Sequence, residues 1–208
     1  MENQNKIKII LLGNEAVGKT ALINAYEDKA FSEVTASTIG SGFIQKKVKI
    51  NEKEYIVQLW DTAGQEKFRS VSKIYFKDSD IVIFVYDITN ENSFNDLREF
   101  WIGYVKDLIG NDKVFGIASN KIDLFENKKV EKEEGEKFAE DNGALFCETS
   151  AKEDPKGFQK FVNDLIVTYI SKRKNVKKEQ NINLNKNKLK KKIVVKFSLN
   201  YLIIIENY

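Results

Sequence analysis

The chain of 208 residues contains no histidine, one cysteine (Cys147) and one proline (Pro155). Without histidine there is no imidazole base, no Ser-His or Cys-His pair and no His-ligated metal. Chemistry on this chain must run on Lys, Gln, Thr, Asp and a bound metal. A lone cysteine forms no intramolecular disulfide, which suits a reducing compartment, so a cytoplasmic location is expected. Long apolar runs are missing too: none reaches the roughly 18–20 residues that span a bilayer. The start, Met1-Glu-Asn-Gln-Asn5, is polar and unlike a secretory signal. Glu2 stands where N-myristoylation requires glycine.

What is present suits one domain of ordinary size with an appendage. Hydrophobic residues make up 42% of the chain, enough for a substantial core. The net charge of +3 is unevenly spread, because residues 172–208 hold eleven Lys/Arg against two Glu. A mildly acidic body thus carries a basic tail, and the tail is the part suited to an anionic surface. We expect a folded domain over 1–172 and a largely disordered basic tail over 173–208 that ends in an apolar stretch, 193–205.

Within the body, strand-like and helix-like segments alternate. The expected strands are 6–12, 43–50, 54–60, 80–87, 113–119 and 144–148, and the expected helices are 18–28, 66–76, 91–109, 131–142 and 155–172. Alternation of this kind predicts a mostly parallel six-stranded sheet with helices on both faces, an α/β fold. The short polar link Asn51-Glu-Lys-Glu54 allows only an antiparallel hairpin between the second and third strands. Phe158, Phe161, Val162, Leu165, Ile166, Tyr169 and Ile170 follow helical spacing and predict one core-facing stripe. Pro155 lies in the first turn of that helix, where a missing N–H costs little.

Residues 13–20 read Gly-Asn-Glu-Ala-Val-Gly-Lys-Thr, the full pattern G-x-x-x-x-G-K-[ST], placed between an expected strand and an expected helix. That context is what a phosphate-binding P-loop requires. Backbone N–H groups of Gly13, Glu15, Ala16, Val17, Gly18 and Ala21 suit an anion nest, reinforced by the positive end of the following helix. Lys19 is expected to reach the β- and γ-phosphates, and the Thr20 hydroxyl to ligate Mg²⁺.

The same ligand explains the motifs that follow. Trp60-Asp-Thr-Ala-Gly-Gln-Glu66 closes a strand. Asp61 is the expected second metal partner, Gly64 lacks the Cβ that would keep its N–H from a γ-phosphate, and Gln65 both donates and accepts, so it suits orienting a water. Asn120-Lys-Ile-Asp123 follows another strand. Asp123 accepts the two N–H groups that guanine presents and adenine lacks, Lys121 lies along the base, and Asn120 ties loops together. In Glu148-Thr-Ser-Ala-Lys152 the Ala151 N–H is a donor for the guanine carbonyl, with Ser150 and Lys152 beside it. Each short motif alone also reads as an ordinary solvated loop. Together, in order and at strand ends, they describe one site on the carboxyl edge of an open sheet.

These five elements resemble the small Ras-like GTPases, over roughly residues 6–172. Ser37-Thr-Ile-Gly40, Trp60-Asp-Thr-Ala-Gly-Gln-Glu-Lys-Phe68 and Phe84-Val-Tyr-Asp-Ile-Thr89 are similar to the Rab/Ypt branch. Ile39-Gly-Ser-Gly-Phe43 and Tyr86-Asp-Ile-Thr-Asn-Glu-Asn-Ser-Phe94 resemble its endocytic subgroup. The resemblance implies a Ras-like P-loop NTPase fold and a monomeric, Mg²⁺-dependent GTP/GDP switch in vesicle traffic. It implies that Thr38 closes over Mg²⁺ and γ-phosphate, so that Gln65, Lys19 and Thr38 are the catalytic set and Thr20, Thr38 and Asp61 the metal set. It further implies that Phe31 packs on guanine, and that Ile39, Gly40, Phe43, Trp60 and Tyr75 meet effectors; the alternative for those aromatics is core packing. γ-Phosphate contacts from Thr38 and Gly64 would order loops 32–42 and 62–76, and hydrolysis would release them. With no arginine finger evident in the chain, turnover should be slow, and an exchange factor and a GTPase-activating protein are implied partners.

Two departures stand out. Glu15 lies beside the expected γ-phosphate, where a carboxylate either points to solvent or hinders stimulated hydrolysis. The tail ends Ile205-Glu-Asn-Tyr208 with no cysteine after 147, so the double or single prenylation of Rabs has no acceptor. Three explanations fit: this tail replaces a cysteine-bearing one, it holds endomembranes peripherally through charge and apolar residues, or the protein acts in solution. Basic residues contribute about 1 kcal/mol each near an anionic leaflet. Two rival functions are a pseudo-GTPase that holds nucleotide without turnover, which intact Lys19, Thr20, Thr38, Asp61 and Gln65 argue against, and nucleic-acid binding by the tail. The tail lacks regular aromatic interleaving, so no nucleic-acid partner is expected.

Overall fold

The computed structural model describes residues 5–32, 41–62, 76, 78–110 and 112–176. Each apolar run becomes a strand: β1 (Lys6–Leu12), β2 (Ser41–Ile50), β3 (Lys53–Thr62), β4 (Ile81–Asp87), β5 (Val114–Asn120) and β6 (Leu145–Glu148). They form one sheet in the order β2-β3-β1-β4-β5-β6. Only β2 and β3 are antiparallel, paired from Ser41↔Thr62 to Ile50↔Lys53. The connecting turn is Asn51-Glu52, with φ of 48° and 64°, a two-residue turn whose positive φ values match strand twist.

The helices are α1 (Lys19–Tyr26), α2 (Glu91–Asp96), α3 (Ile102–Ile109) and α4 (Lys132–Asp141), and residues 155–169 form α5. The expected single helix 91–109 is interrupted by one π turn, Leu97–Trp101, between α2 and α3. A 3₁₀ segment, Ile122–Asn127, follows β5 where a plain loop was expected. The expected helix 66–76 lies, apart from Phe76, outside the described residues. Residues 5–32, 41–62, 76, 78–110 and 112–169 belong to one compact unit, and residues 170–176, in the other, are helical.

Period-two alternation sends β1 side chains to opposite faces. On one face, Ile10 and Leu12 join Val82, Phe84 and Tyr86 beneath Phe94, Leu97, Trp101, Val105 and Ala139 of α2, the π turn, α3 and α4. The other face carries α5 against β5, where Gly116 leaves room for Phe161 and Leu165. Gln159 of α5 donates to the Ala25 carbonyl at 3.1 Å, so α1 and α5 share that face. β4 and β5 are buried along their whole length, as expected of central parallel strands. Strand β1 runs beside both β3 and β4, so the sheet order reverses at its carboxyl end. That switch point is where open α/β sheets present their ligand crevice.

Candidate functional site

The loop Gly13–Gly18 leaves β1 at the switch point and enters α1. Its shape needs glycine at both ends. Gly13 has φ 147°, and a Cβ there would lie 2.1 Å from the Val85 carbonyl oxygen; Gly18 has φ 97°, and a Cβ would lie 2.3 Å from Asn120 Nδ2. Ala16 accepts a left-handed φ of 63°, an uncommon strain for a residue with a Cβ. No side chain caps the start of α1 and no acidic residue occupies its first turn, so its N–H groups and dipole face the loop cavity.

Lys19 folds back into this loop. Its Nζ donates to the carbonyls of Gly13 at 2.9 Å and Asn14 at 2.8 Å. Burial lowers its pKa to about 8, against the raising influence of the Asp61 and Glu15 carboxylates. Glu15 itself is exposed. A buried ammonium hydrogen-bonded to these two carbonyl oxygens is well placed to exchange them for phosphate oxygens. Thr20 Oγ1 donates to Asp61 Oδ2 at 2.6 Å, joining the start of α1 to the end of β3. Among the described residues no group of three or more His, Cys, Asp or Glu is arranged to hold a metal ion. A hydroxyl and one carboxylate nonetheless fit Mg²⁺, which binds few protein oxygens and completes its shell with phosphate and water.

At the base end, Asn120 is the hub. Its Nδ2 donates to the Val17 carbonyl at 2.8 Å, and its Oδ1 accepts a longer bond, 3.4 Å, from the Ala151 N–H. The Ser150 hydroxyl donates to Asp123 Oδ1 at 2.5 Å and accepts from the N–H groups of Lys152 at 3.2 Å and Glu153 at 3.0 Å. Lys121, in left-handed backbone with φ 66°, pairs through Nζ with Asp87 Oδ2 at 2.6 Å. Lys152 Nζ lies 6.0 Å from the centre of the exposed Phe31 ring. The structure thus gathers Asn120, Lys121, Asp123, Ser150, Ala151, Lys152 and Phe31 beside the phosphate loop, at the carboxyl ends of β5 and β6.

Sequence reasoning missed two participants. Asp87 closes β4; besides holding Lys121, its Oδ1 accepts from Thr89 N and Oγ1, both at 2.8 Å. The signal was present as Asp-x-Thr at a strand end, a pattern that closes an Asx turn. Asn14 anchors the loop through its side chain, which bonds Asp96 and Trp101. Thr38, Ile39, Gly40, Gly64, Gln65 and Tyr75 lie outside the described residues.

Phe43 and Trp60 are cross-strand partners whose rings stack at 4.6 Å with 21° between planes. Phe43 is half exposed, at 50%, while Trp60 packs against the core. Lys8 Nζ lies 4.5 Å over the Trp60 ring.

The Ras family model matches residues 8–171. Ras-related protein Rab-30 from Homo sapiens, Bos taurus and Mus musculus is in each case 37% identical over 164 residues, covering 79% of this chain and 80% of the relative. The matched span includes the phosphate loop, the Thr20–Asp61 pair and the Asn120 hub. The chain belongs to the Ras family, on its Rab branch: it is a small GTPase, a GTP-hydrolysing switch.

Proposed function

We propose that the chain is a Mg²⁺-dependent Rab-type switch in vesicle traffic, with the site residues in the following roles. The nest of Gly13, Glu15, Ala16, Val17, Gly18 and Ala21 N–H groups cradles the phosphates, and Lys19 leaves the Gly13 and Asn14 carbonyls to hold them. Asp123 accepts the guanine N–H pair, Ala151 donates to the guanine carbonyl, and Lys121 and Phe31 cover the ring. Thr20 and Asp61, with Thr38, would hold Mg²⁺, which when bound neutralises charge on the β- and γ-phosphates. Gln65 orients the attacking water. One observation carries the reading: a single side chain, Asn120, bonds the phosphate loop and the 149–151 loop at once, so phosphate and base contacts are held in one rigid frame.

Hydrolysis then removes the γ-phosphate that Thr38 and Gly64 contact, and a partner reading the ordered loops is released. Turnover is slow, because no described arginine reaches the phosphate loop; an activating protein supplies that charge and an exchange factor opens the site. The exposed Phe43 ring on its Trp60 partner, with Ile39, Gly40 and Tyr75, forms the effector face. An aromatic pair at a sheet edge with a polar surround suits a protein partner. Among the described residues no helix is long and apolar enough to cross a membrane; endomembrane contact is peripheral, through the basic and apolar tail.

Single-turnover hydrolysis of GTP in parent and Gln65→Leu protein, with and without an activating protein, tests the reading. A slow parental rate that the substitution abolishes is expected. Equal rates in both would overturn the assignment of Gln65, and failure to bind GTP at all would overturn the site.

A further inference from the structure

We infer that Asn14, Asp96 and Trp101 form a positioning device that clamps the phosphate loop to the helix crossing beside it. The inference rests on the phosphate-loop reading above. Asn14 Nδ2 donates to Asp96 Oδ2 at 2.5 Å, and Trp101 Nε1 donates to Asn14 Oδ1 at 3.2 Å. Both ends of one amide are therefore fixed by one helical segment. The same residue's main-chain carbonyl accepts Lys19 Nζ at 2.8 Å. Holding the side chain fixes the peptide that Lys19 leans on.

The π turn explains how one amide meets two residues five apart. At about 100° per residue, an α-helix would set Asp96 and Trp101 roughly 140° apart around its axis. The segment Leu97–Trp101 is a π turn, and the Ile102 N–H bonds the Leu97 carbonyl, an i→i+5 link. Such a turn places residues i and i+5 close to one face. Asp96 and Trp101 then converge on Asn14. Trp101 is 5% exposed and packs in the core beside Phe94, Leu97 and Ile102, so the clamp is mounted on a rigid element. Amide chemistry is required: one end of Asn14 must donate to a carboxylate and the other accept from an indole N–H. Neither alanine nor aspartate does both.

Release of a fluorescent GDP analogue from the full chain tests this. Asn14→Asp sets two carboxylates against each other and is expected to speed release by about tenfold or more, the scale of one lost charge-assisted hydrogen bond. Adding Asp96→Asn restores a donor facing an acceptor, and release should return to within about twofold of the parent, as coupled neighbours do. Trp101→Phe keeps the packing, removes one donor and should also speed release. Rescue by the double substitution is what a generic loss of stability would not give. Parental release from Asn14→Asp, or a double variant no slower than the single, overturns the clamp. If Asn14→Asp fails to fold, the double variant and Trp101→Phe decide, and parental release from Trp101→Phe overturns it. Lys19→Ala separates the two levels of the argument: unchanged GDP binding there sinks the phosphate-loop reading, whereas lost binding with no effect at Asn14 sinks the clamp alone.

Discussion

Asn120 Nδ2 donates to the Val17 carbonyl at 2.8 Å, and a Cβ on Gly18 would meet that same nitrogen at 2.3 Å. The loop closes because residue 18 has no side chain and residue 120 has this one. Asn120→Ala leaves the Val17 carbonyl without its partner, a penalty of about 1–3 kcal/mol when buried. GDP affinity should fall by roughly ten- to a hundredfold, measured by calorimetry. Gly18→Ala should weaken binding at least as much, since it adds both a clash and a strained φ. Parental affinity in either variant would mean that the frame is not held here.

Asp123 tests base choice. In the proposed role its carboxylate would accept two N–H groups of guanine, each charge-assisted bond contributing about 1.5–3 kcal/mol. Asp123→Asn turns one acceptor into a donor that suits xanthine, which has a carbonyl where guanine has an amino group. Competition binding should show GTP losing at least tenfold and XTP gaining. Unchanged preference would place the base elsewhere.

Thr20 and Asp61 share a 2.6 Å hydrogen bond across α1 and β3. In the parent, chelating Mg²⁺ should accelerate GDP release. In Thr20→Ala release should already be fast, and the chelator should add little. A chelator effect of parental size in that variant would remove Thr20 from the metal set.

How much of this was legible follows from which forces act locally. Apolar runs and short links mark all six strands and the Asn51-Glu52 hairpin, because burial and turn geometry leave local signatures. The glycines at 13 and 18 are readable for the same reason. The π turn is not, since the residue that bonds both Asp96 and Trp101 is Asn14, distant in sequence. Lys121 reads as a base-covering residue, yet its partner Asp87 belongs to another strand. Gly135 carries no local signal of its role; the structure shows it as the site where α4 approaches the sheet. The motif residues Thr38, Gly64 and Gln65 were legible as motifs, but their geometry lies outside the described residues.

Gly135 therefore reverses a common expectation. Glycine-to-alanine in a helix usually stabilises by about 1 kcal/mol. Here a Cβ would lie 2.4 Å from Tyr86 Oη and 2.8 Å from Phe146, and the Tyr86 ring is fully buried and cannot swing away. Gly135→Ala should destabilise by about 1–3 kcal/mol, as overpacking does. Urea unfolding checks the sign.

The pKa of Lys19 is lowered to about 8, chiefly by burial, so its proposed place against the phosphates should give nucleotide binding a pH dependence. Phosphate beside the ammonium favours its charged form, so the bound site holds its proton to higher pH than the free site. Binding then takes up a proton above pH 8, and affinity must fall as pH rises through that value, by up to about tenfold per unit. Below pH 8 both forms are charged and the dependence on this group disappears. The Glu15 and Asp61 carboxylates oppose the lowering. Of the two, Glu15 is exposed and makes the less disruptive substitution. Glu15→Gln removes one of those charges, so the break in the profile should move below its parental position while the slope above it stays the same. GDP affinity measured from pH 6.5 to 9.5 in both proteins decides the matter: a flat parental profile would show that the buried ammonium does not meet the phosphates, and an unmoved break in Glu15→Gln would show that the carboxylate acts only on solvent.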